Sequence, residues 1–395
     1  MGVANILNQV DGERIYEHVL KLQGTRHPID SPRELSEAAD YLHSEFERYG
    51  LVSREQTFRV PSFSGTFRNI EGAIEQGDDA ELLVVAHYDT VENCPGANDN
   101  ASGVAVMLET ARVLALRGVG NVRFIGFSLE ELNPSYALRS RQLAQSLGLK
   151  DSQNRYISLH VHTNMKKLLE LQRKYSALGK GPADALAAAR TEIEAQMSEA
   201  EIAYAKRLEE MYEGITPTSW PGKTATMGSA FWVEEAIRAN KNIMGVLCFD
   251  TIGYTSDKEY SQTSPAGMKP EMFQTSKLSN LTIGNFVAAL GDINSGKLIQ
   301  SFLAQTELDS VRLPCAALQI PFDYEQIANS MRDVLRSDHV PFWKQGIPAL
   351  HITDTAEFRY PYYHTPADTI DKLDFSFMTK ICEATVATAL NLTGR

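Results

Sequence analysis

The chain has 395 residues, of which 43% are apolar and 22% charged, the proportions of an ordinary globular protein. That balance excludes wholesale disorder, a collagen repeat and a coiled-coil rod. Lys and Arg number 38 against 50 Asp and Glu, so the net charge is −12 and a nucleic-acid partner is not expected. No run of about 18 apolar residues is present to cross a bilayer, so no membrane partner is expected either.

The first nineteen or so residues lack a basic stretch followed by an apolar core, which predicts no signal peptide. Met1-Gly2 lacks the Ser or Thr at position six that lipid attachment at Gly2 would need. Cys94, Cys248, Cys315 and Cys382 are widely spaced, with no Cys-x-x-Cys pair. This pattern predicts isolated reduced thiols in a cytoplasmic protein rather than disulfides or Cys-ligated zinc.

Along the chain, residues 13–50 read as helix, with a Ser31-Pro32-Arg33-Glu34 start. Glu55 to Val60 and Phe67 to Ala73 alternate as strands do. The run Leu82-Leu83-Val84-Val85-Ala86 is continuously apolar, as expected of a strand buried on both faces. A helix over Val104 to Leu116 and a strand over Val122 to Phe127 complete a β-α-β unit, which predicts a mixed or parallel sheet.

Residues 134–226 differ in character. Met165, Leu168, Leu171, Leu186, Ile193, Met197, Tyr204, Leu208 and Met211 form a narrow apolar stripe. The spacing predicts a long helical hairpin, with one helix over 182–213 about 50 Å long. Strands resume at Ile243 to Phe249, Ala316 to Ile320 and Ala349 to Ile352, and Phe375 to Leu392 reads as a final helix.

The chemistry-bearing residues stand at strand ends and glycine turns. His87 and Asp89, two apart on extended chain, point to one side. A metal-bound imidazole commonly gives its other N–H to a carboxylate, a role that suits Asp89. Asp99 lies in the glycine-flanked loop Gly96 to Gly103, where a carboxylate can approach a metal closely. Glu130 and Glu131 end the next strand, and adjacent carboxylates can divide the labour between metal and water. Asp250 follows another apolar strand, and His364 sits in Tyr362 to Thr369. Each is weak alone; the ordered set is not.

On these motifs, together with Met227-Gly228-Ser229, Phe249 to Tyr254, Arg336 to His339 and Tyr363 to Thr369, the chain resembles the co-catalytic di-zinc exopeptidases of peptidase clan MH. These are the bacterial zinc aminopeptidases and relatives such as glutamate carboxypeptidase and glutaminyl cyclase. The resemblance implies a three-layer α/β/α sandwich around a central mixed, mostly parallel sheet. It implies two zinc ions per chain bridged by Asp99, with His87 and Asp250 completing one site and Glu131 and His364 the other. It implies Glu130 as general base, Asp89 as the group orienting His87, Tyr363 as an oxyanion donor, and Arg336 on the substrate side. Asp338 and His339 are expected to be structural, and Asp368 to orient the His364 loop.

Relatives pass from the double Glu to the Gly-Ser helix almost directly, whereas here residues 134–226 intervene. The expected organisation is therefore a discontinuous catalytic domain, 1–133 and 227–395, with the helical segment as a lid or a homo-oligomerisation arm. His160 and His162, two apart, share no helix face and are not expected to bind metal. The expected activity is zinc-dependent hydrolysis of a peptide or small amide at a chain end, foremost as an aminopeptidase. Carboxypeptidase, amidase and glutaminyl-cyclase-like acyl transfer are the alternatives.

Overall fold

A computed structural model describes residues 3–74, 80–265, 268–278 and 280–394. The Met1-Gly2 start considered above lies outside them. Among the described residues nine strands form one sheet: β1 Val52–Arg59, β2 Thr66–Ala73, β3 Glu81–His87, β4 Val122–Phe127, β5 Ile243–Phe249, β6 Gln274–Ser276, β7 Val287–Gly291, β8 Cys315–Gln319 and β9 Ala349–Thr353. Their order is β1-β2-β4-β3-β5-β9-β7-β8-β6. The central block β4-β3-β5-β9 is parallel throughout. Antiparallel pairs flank it: β1 with β2, β2 with β4, β7 with β9 and β6 with β8.

Alternation along the central strands explains the layering. Leu82, Val84, Ala86, Phe124, Leu247, Phe249, Leu350 and Ile352 join one core, which also takes in helices Gly12–Leu22, Pro32–Arg48, Gly103–Leu116, Gly296–Thr306 and Phe375–Leu392. Their sequence neighbours Leu83, Val85, Ile125, Phe127, Val246 and Cys248 face a second core with helices Met227–Arg238, Tyr324–Ser330 and Val340–Lys344. Because successive side chains on a strand point to opposite faces, a fully apolar run buries both. The result is a three-layer α/β/α sandwich. Among the described residues no helix is long and apolar enough to cross a membrane, and Cys94, Cys248, Cys315 and Cys382 are free and buried.

Two sequence expectations change. Residues 13–50 form two helices separated at Gln23 to Ser31, not one. The 182–213 stretch is also broken. Helix Pro182–Ile193 ends in a single 3₁₀ turn, and Ser198 starts helix Glu199–Met211 with a reciprocal cap to Glu201. That capping pair satisfies backbone donors that a continuous helix would have used internally, so the chain turns there. With Pro134–Ser146 and Leu159–Ala177, the segment holds four helices rather than a long hairpin. Its apolar stripe is covered from within, since Met165, Leu168, Leu171, Leu186, Ile193, Met197 and Leu208 form a core of their own.

Candidate metal centre

β3, β4 and β5 deliver their carboxyl ends to one edge of the sheet, where α/β folds bind ligands. His87 is the last residue of β3, Glu130 and Glu131 follow β4, and Asp250 follows β5. Asp99 comes from the loop that feeds helix Gly103–Leu116, and His364 from the loop before the final helix.

The five candidate ligand side chains converge through Asp99. Its Oδ1 lies 3.4 Å from Nε2 of His87, and its Oδ2 lies 3.0 Å from Nε2 of His364. Nε2 of His87 is also 3.6 Å from Asp250 Oδ1, and Nε2 of His364 is 3.2 Å from Glu131 Oε2. His87, Asp99 and Glu131 by themselves have donor atoms close enough to hold one ion.

Both ring nitrogens of His87, Nε2 of His364 and Oε1 of Glu131 are buried without a hydrogen-bond partner. Unpaired buried polar atoms are costly, and cations among them would satisfy Nε2 of His87, Nε2 of His364 and Oε1 of Glu131, leaving His87 Nδ1–H toward Asp89. Two imidazoles and three carboxylates are donors that zinc accepts. The residues therefore fit the metal.

Electrostatics agree. Burial drives the Glu130 carboxyl well above its ordinary range, and the neighbouring Glu131 carboxylate adds to the effect. Burial and Asp99 push Glu131 up to about 7. His364 is raised to about 10, because Glu131 and Asp99 outweigh its burial. Such a cluster of carboxylates needs positive charge to hold it together, and a divalent ion held there would supply it.

The backbone around the donors is specialised. Leu129, before Glu130, Thr251, after Asp250, and His364 itself have φ of 59°, 49° and 55°. Left-handed conformations at residues with side chains carry a cost that cluster at functional sites commonly bears. Gly96 has φ 61°, and a Cβ there would meet Thr90 Cγ2 at 2.4 Å and Asp99 O at 2.5 Å, so only glycine fits the turn. The Asp99–Asn100 peptide bond is cis.

Asp89 lies 3.5 Å from His87 Nδ1 and accepts the backbone N–H of both Glu130 and Glu131. Tyr363 stacks on His364 with ring centroids 3.8 Å apart. Arg336 donates to the Tyr363 hydroxyl at 3.3 Å and pairs with Glu357. Asp338 is buried, with both carboxylate oxygens lacking a hydrogen-bond partner, and burial raises it to about 7. His339 Nε2 donates to Val334 O at 2.8 Å, and the ring stacks on His351. Asp368, on the His364 loop, accepts the backbone N–H groups of Asn98 and Asp99 and the Tyr360 hydroxyl, so it ties its own loop to the Asp99 loop. His160 and His162 lie on helix Leu159–Ala177, away from the five donors in sequence and with their own partners, Asn164 and Tyr156.

Several residues that support the site escaped sequence reasoning. Arg26 is buried and donates to the carbonyls of Leu22, Gly24, Tyr88, Pro95 and Gly96, tying the β3 exit to the Asp99 loop. No pattern in the sequence singles it out. Asn98 bonds Asp354 and the Gly253 N–H, and Asn100 bonds Phe249 O. Their place on either side of Asp99 was the available signal.

Two cavities adjoin the centre. An apolar one of about 180 Å³ is bordered by Asp250 and Tyr363 and walled by Phe273, Leu281, Phe286 and Leu290. A second, polar cleft of about 450 Å³ contains Glu130, Glu131 and His364 and is walled in part by helix Leu159–Ala177.

Fold and site together define a metallohydrolase of the zinc-exopeptidase kind. The family model described as Peptidase family M28 matches residues 69–212 and 289–389. The chain belongs to peptidase family M28 and is a zinc metallopeptidase of aminopeptidase-like type. The match runs on to residue 212, so it reaches into the helical segment.

Among relatives, the uncharacterized protein YfbL of Escherichia coli K12 is 23% identical over 392 residues, 96% of this chain and 88% of its own. Aminopeptidase YwaD of Bacillus subtilis is 36% identical over 126 residues, 30% of this chain and 27% of its own length. The LapA aminopeptidase of Legionella pneumophila superposes with a TM-score of 0.59 at 15% identity, over 100% of this chain and 74% of that one. At that identity the likeness concerns the fold.

Proposed function

We propose that the chain is a two-zinc aminopeptidase that hydrolyses the first peptide bond of a substrate with a free amine. The observation that carries this reading is the sharing of Asp99 between two imidazoles, with one oxygen facing each. In this reading His87 and Asp250 hold one ion, Glu131 and His364 the other, and Asp99 both. When bound, zinc supplies Lewis-acid polarisation of the scissile carbonyl and of water.

The chain's own groups do the rest. Glu130, buried and strongly proton-attracting, takes a proton from the attacking water and returns it to the leaving amine. Tyr363 stays protonated, because burial raises its hydroxyl well above the ordinary range. Its oxygen accepts from Arg336, which leaves its own proton free to donate to the developing oxyanion. Asp89 fixes the His87 ring and the Glu130-Glu131 backbone.

The apolar cavity beside Asp250 suits the side chain of the departing N-terminal residue. Its volume of about 180 Å³ slightly exceeds that of an apolar cavity known to take benzene, roughly 150 Å³, so an aromatic or large aliphatic side chain fits. Residues 1–133 and 227–395 form the catalytic domain in this reading, and residues 134–226 form a wall over its cleft. The four unpaired cysteines support a reducing, cytoplasmic setting.

The test is mass spectrometry of a peptide pool holding matched free-amine and N-blocked members, incubated with zinc-loaded protein and with a chelator control. Chelator-sensitive loss of single N-terminal residues from the free-amine members alone supports the proposal. Loss from the C-terminus, release of small amides, or cyclisation of N-terminal glutamine would each replace it with another reaction at the same centre.

A further inference from the structure

Helix Leu159–Ala177 does not hang free over the cleft. Its inner face, Met165, Leu168 and Leu171, is buried in the helical segment's own core. Just beyond its end, Arg332 Nη1 donates to Lys180 O at 2.8 Å. There the chain passes so close to helix Tyr324–Ser330 that a Cβ on Gly179 would lie 2.7 Å from Asn329 O. Elsewhere in the segment Arg141 grips Asp30 with two bonds of 2.6 Å, and Asn154 donates to Glu92 at 2.8 Å. Thr226 N–H donates to Glu130 O at 2.7 Å where the segment rejoins the sheet. The segment is pinned at several separate places and forms a fixed wall.

That wall carries charge into the cleft. Arg173, on helix Leu159–Ala177, lines the same cleft as Glu130, Glu131 and His364, is exposed, and has no hydrogen-bond or ion-pair partner among the described residues. Arg332 lines it too and spends one nitrogen on Lys180 O. Arg336, the third guanidinium of the cleft, is engaged by Glu357 and Tyr363. In a chain of net charge −12, an unpaired Arg opposite a carboxylate-rich centre is a conspicuous placement.

Resting on the aminopeptidase reading, we infer that the preferred substrates are short peptides whose C-terminal carboxylate is bound by Arg173, with Arg332 beside it, on the wall formed by residues 134–226. A zwitterionic di- or tripeptide carries one charge complementary to the cleft's carboxylates and one complementary to its guanidinium groups. Its amine meets the carboxylates at the metal centre, and its carboxylate meets the guanidinium fork, whose planar donors suit that group. A long peptide extended from the same centre carries its carboxylate past these guanidinium groups and forgoes that contact.

The experiment compares zinc-loaded wild type, Arg173→Gln and, as a control, Lys174→Gln. Lys174 neighbours Arg173 but pairs with Glu192. The substrates are a dipeptide acid, its C-terminal amide, a tripeptide acid and a decapeptide of the same N-terminal residue. The expected result is a kcat/KM preference of wild type for the acids over the amide and the decapeptide. Arg173→Gln should lower the acid-to-amide ratio at least about tenfold, mainly through KM, with zinc content unchanged, and Lys174→Gln should leave that ratio alone. An unchanged ratio in Arg173→Gln, or a decapeptide cleaved as well as the dipeptide acid, overturns the inference.

Calorimetric binding of a dipeptide acid with a D-configured first residue separates this inference from the parent reading. Weaker binding to Arg173→Gln supports the carboxylate site even if no peptide is hydrolysed. Equal binding to both proteins rejects it.

Discussion

The carboxylate of Asp89 accepts the backbone N–H of Glu130 at 3.0 Å. The same carboxylate accepts from Glu131 at 3.2 Å and faces His87 Nδ1 at 3.5 Å. One buried group thus sets the ring of a candidate ligand, the backbone of a second, and the position of the candidate base. Replacing it by Asn preserves shape but substitutes an amide N–H₂ for one acceptor oxygen, which then opposes a backbone donor. Asp89→Asn is expected to weaken zinc binding about 10–100-fold, the usual effect of losing a partner behind a metal-ligating His. Competition with a chromogenic chelator measures it, and wild-type affinity in the variant would remove Asp89 from this role.

Glu130 differs from its neighbour in what it lacks. Glu131 reaches His364 at 3.2 Å, whereas among the described residues the Glu130 carboxyl makes no such ion pair with an imidazole; it is buried beside His87, Glu131, Asp250 and Asp338. Glu130→Gln keeps the volume and removes the proton acceptor. Turnover is expected to fall by about 10²–10⁴ with metal content intact. Retained activity would contradict the assignment as base, and lost metal would instead make Glu130 a ligand.

The ligand geometry makes a stoichiometric claim that elemental analysis can check. Wild type should retain two zinc ions per chain after gel filtration. His87→Ala and His364→Ala should each retain one, since each imidazole faces a different oxygen of Asp99. Asp99→Ala should retain neither tightly. A single ion in wild type, lost in His87→Ala but kept in His364→Ala, would mean one site built from the cluster His87, Asp99 and Glu131.

What the sequence made legible follows from how local the governing forces are. β5 and the final helix occupy the expected residues because a continuous apolar run and a helical repeat are short-range signals. β3 gained one residue at each end, at Glu81 and His87. The helical segment was misread because the apolar stripe continues in register across residues 194–198. Only the Ser198–Glu201 cap, a pair that also occurs within helices, marks the break. β6 and β7 were not foreseen: Gln274–Ser276 has no apolar pattern, and Val287–Gly291 is short and ends in glycine. At the site, ligand types at strand ends were readable. Arg26 was not, because its value lies in five carbonyls from separate places in the chain. The link from Asp368 to Asn98 and Asp99 was hidden for a similar reason, since it spans about 270 residues.

Outside the candidate metal centre, His18 gives the fold a pH dependence with a definite sign. It is 2% exposed, with Nδ1 2.7 Å from the Tyr41 hydroxyl and Nε2 3.1 Å from that of Tyr49. Burial, with help from Arg14, Arg48 and Arg112, lowers its pKa to about 3. In the unfolded chain it titrates near 6.5. Between those values the unfolded chain binds a proton that the folded chain refuses, so stability is complete above about 6.5 and falls as the pH drops through this window. The slope is about 1.4 kcal/mol per pH unit for this one residue. His18→Gln keeps an amide within reach of both tyrosines and cannot titrate. Urea unfolding at pH 7.5 and pH 5.0 should show wild type losing roughly 2 kcal/mol more than the variant on acidification. Taking the difference between the two proteins cancels the histidines of the metal centre, which both share. Equal losses would mean that the folded protein accommodates a charged His18 between its two tyrosines.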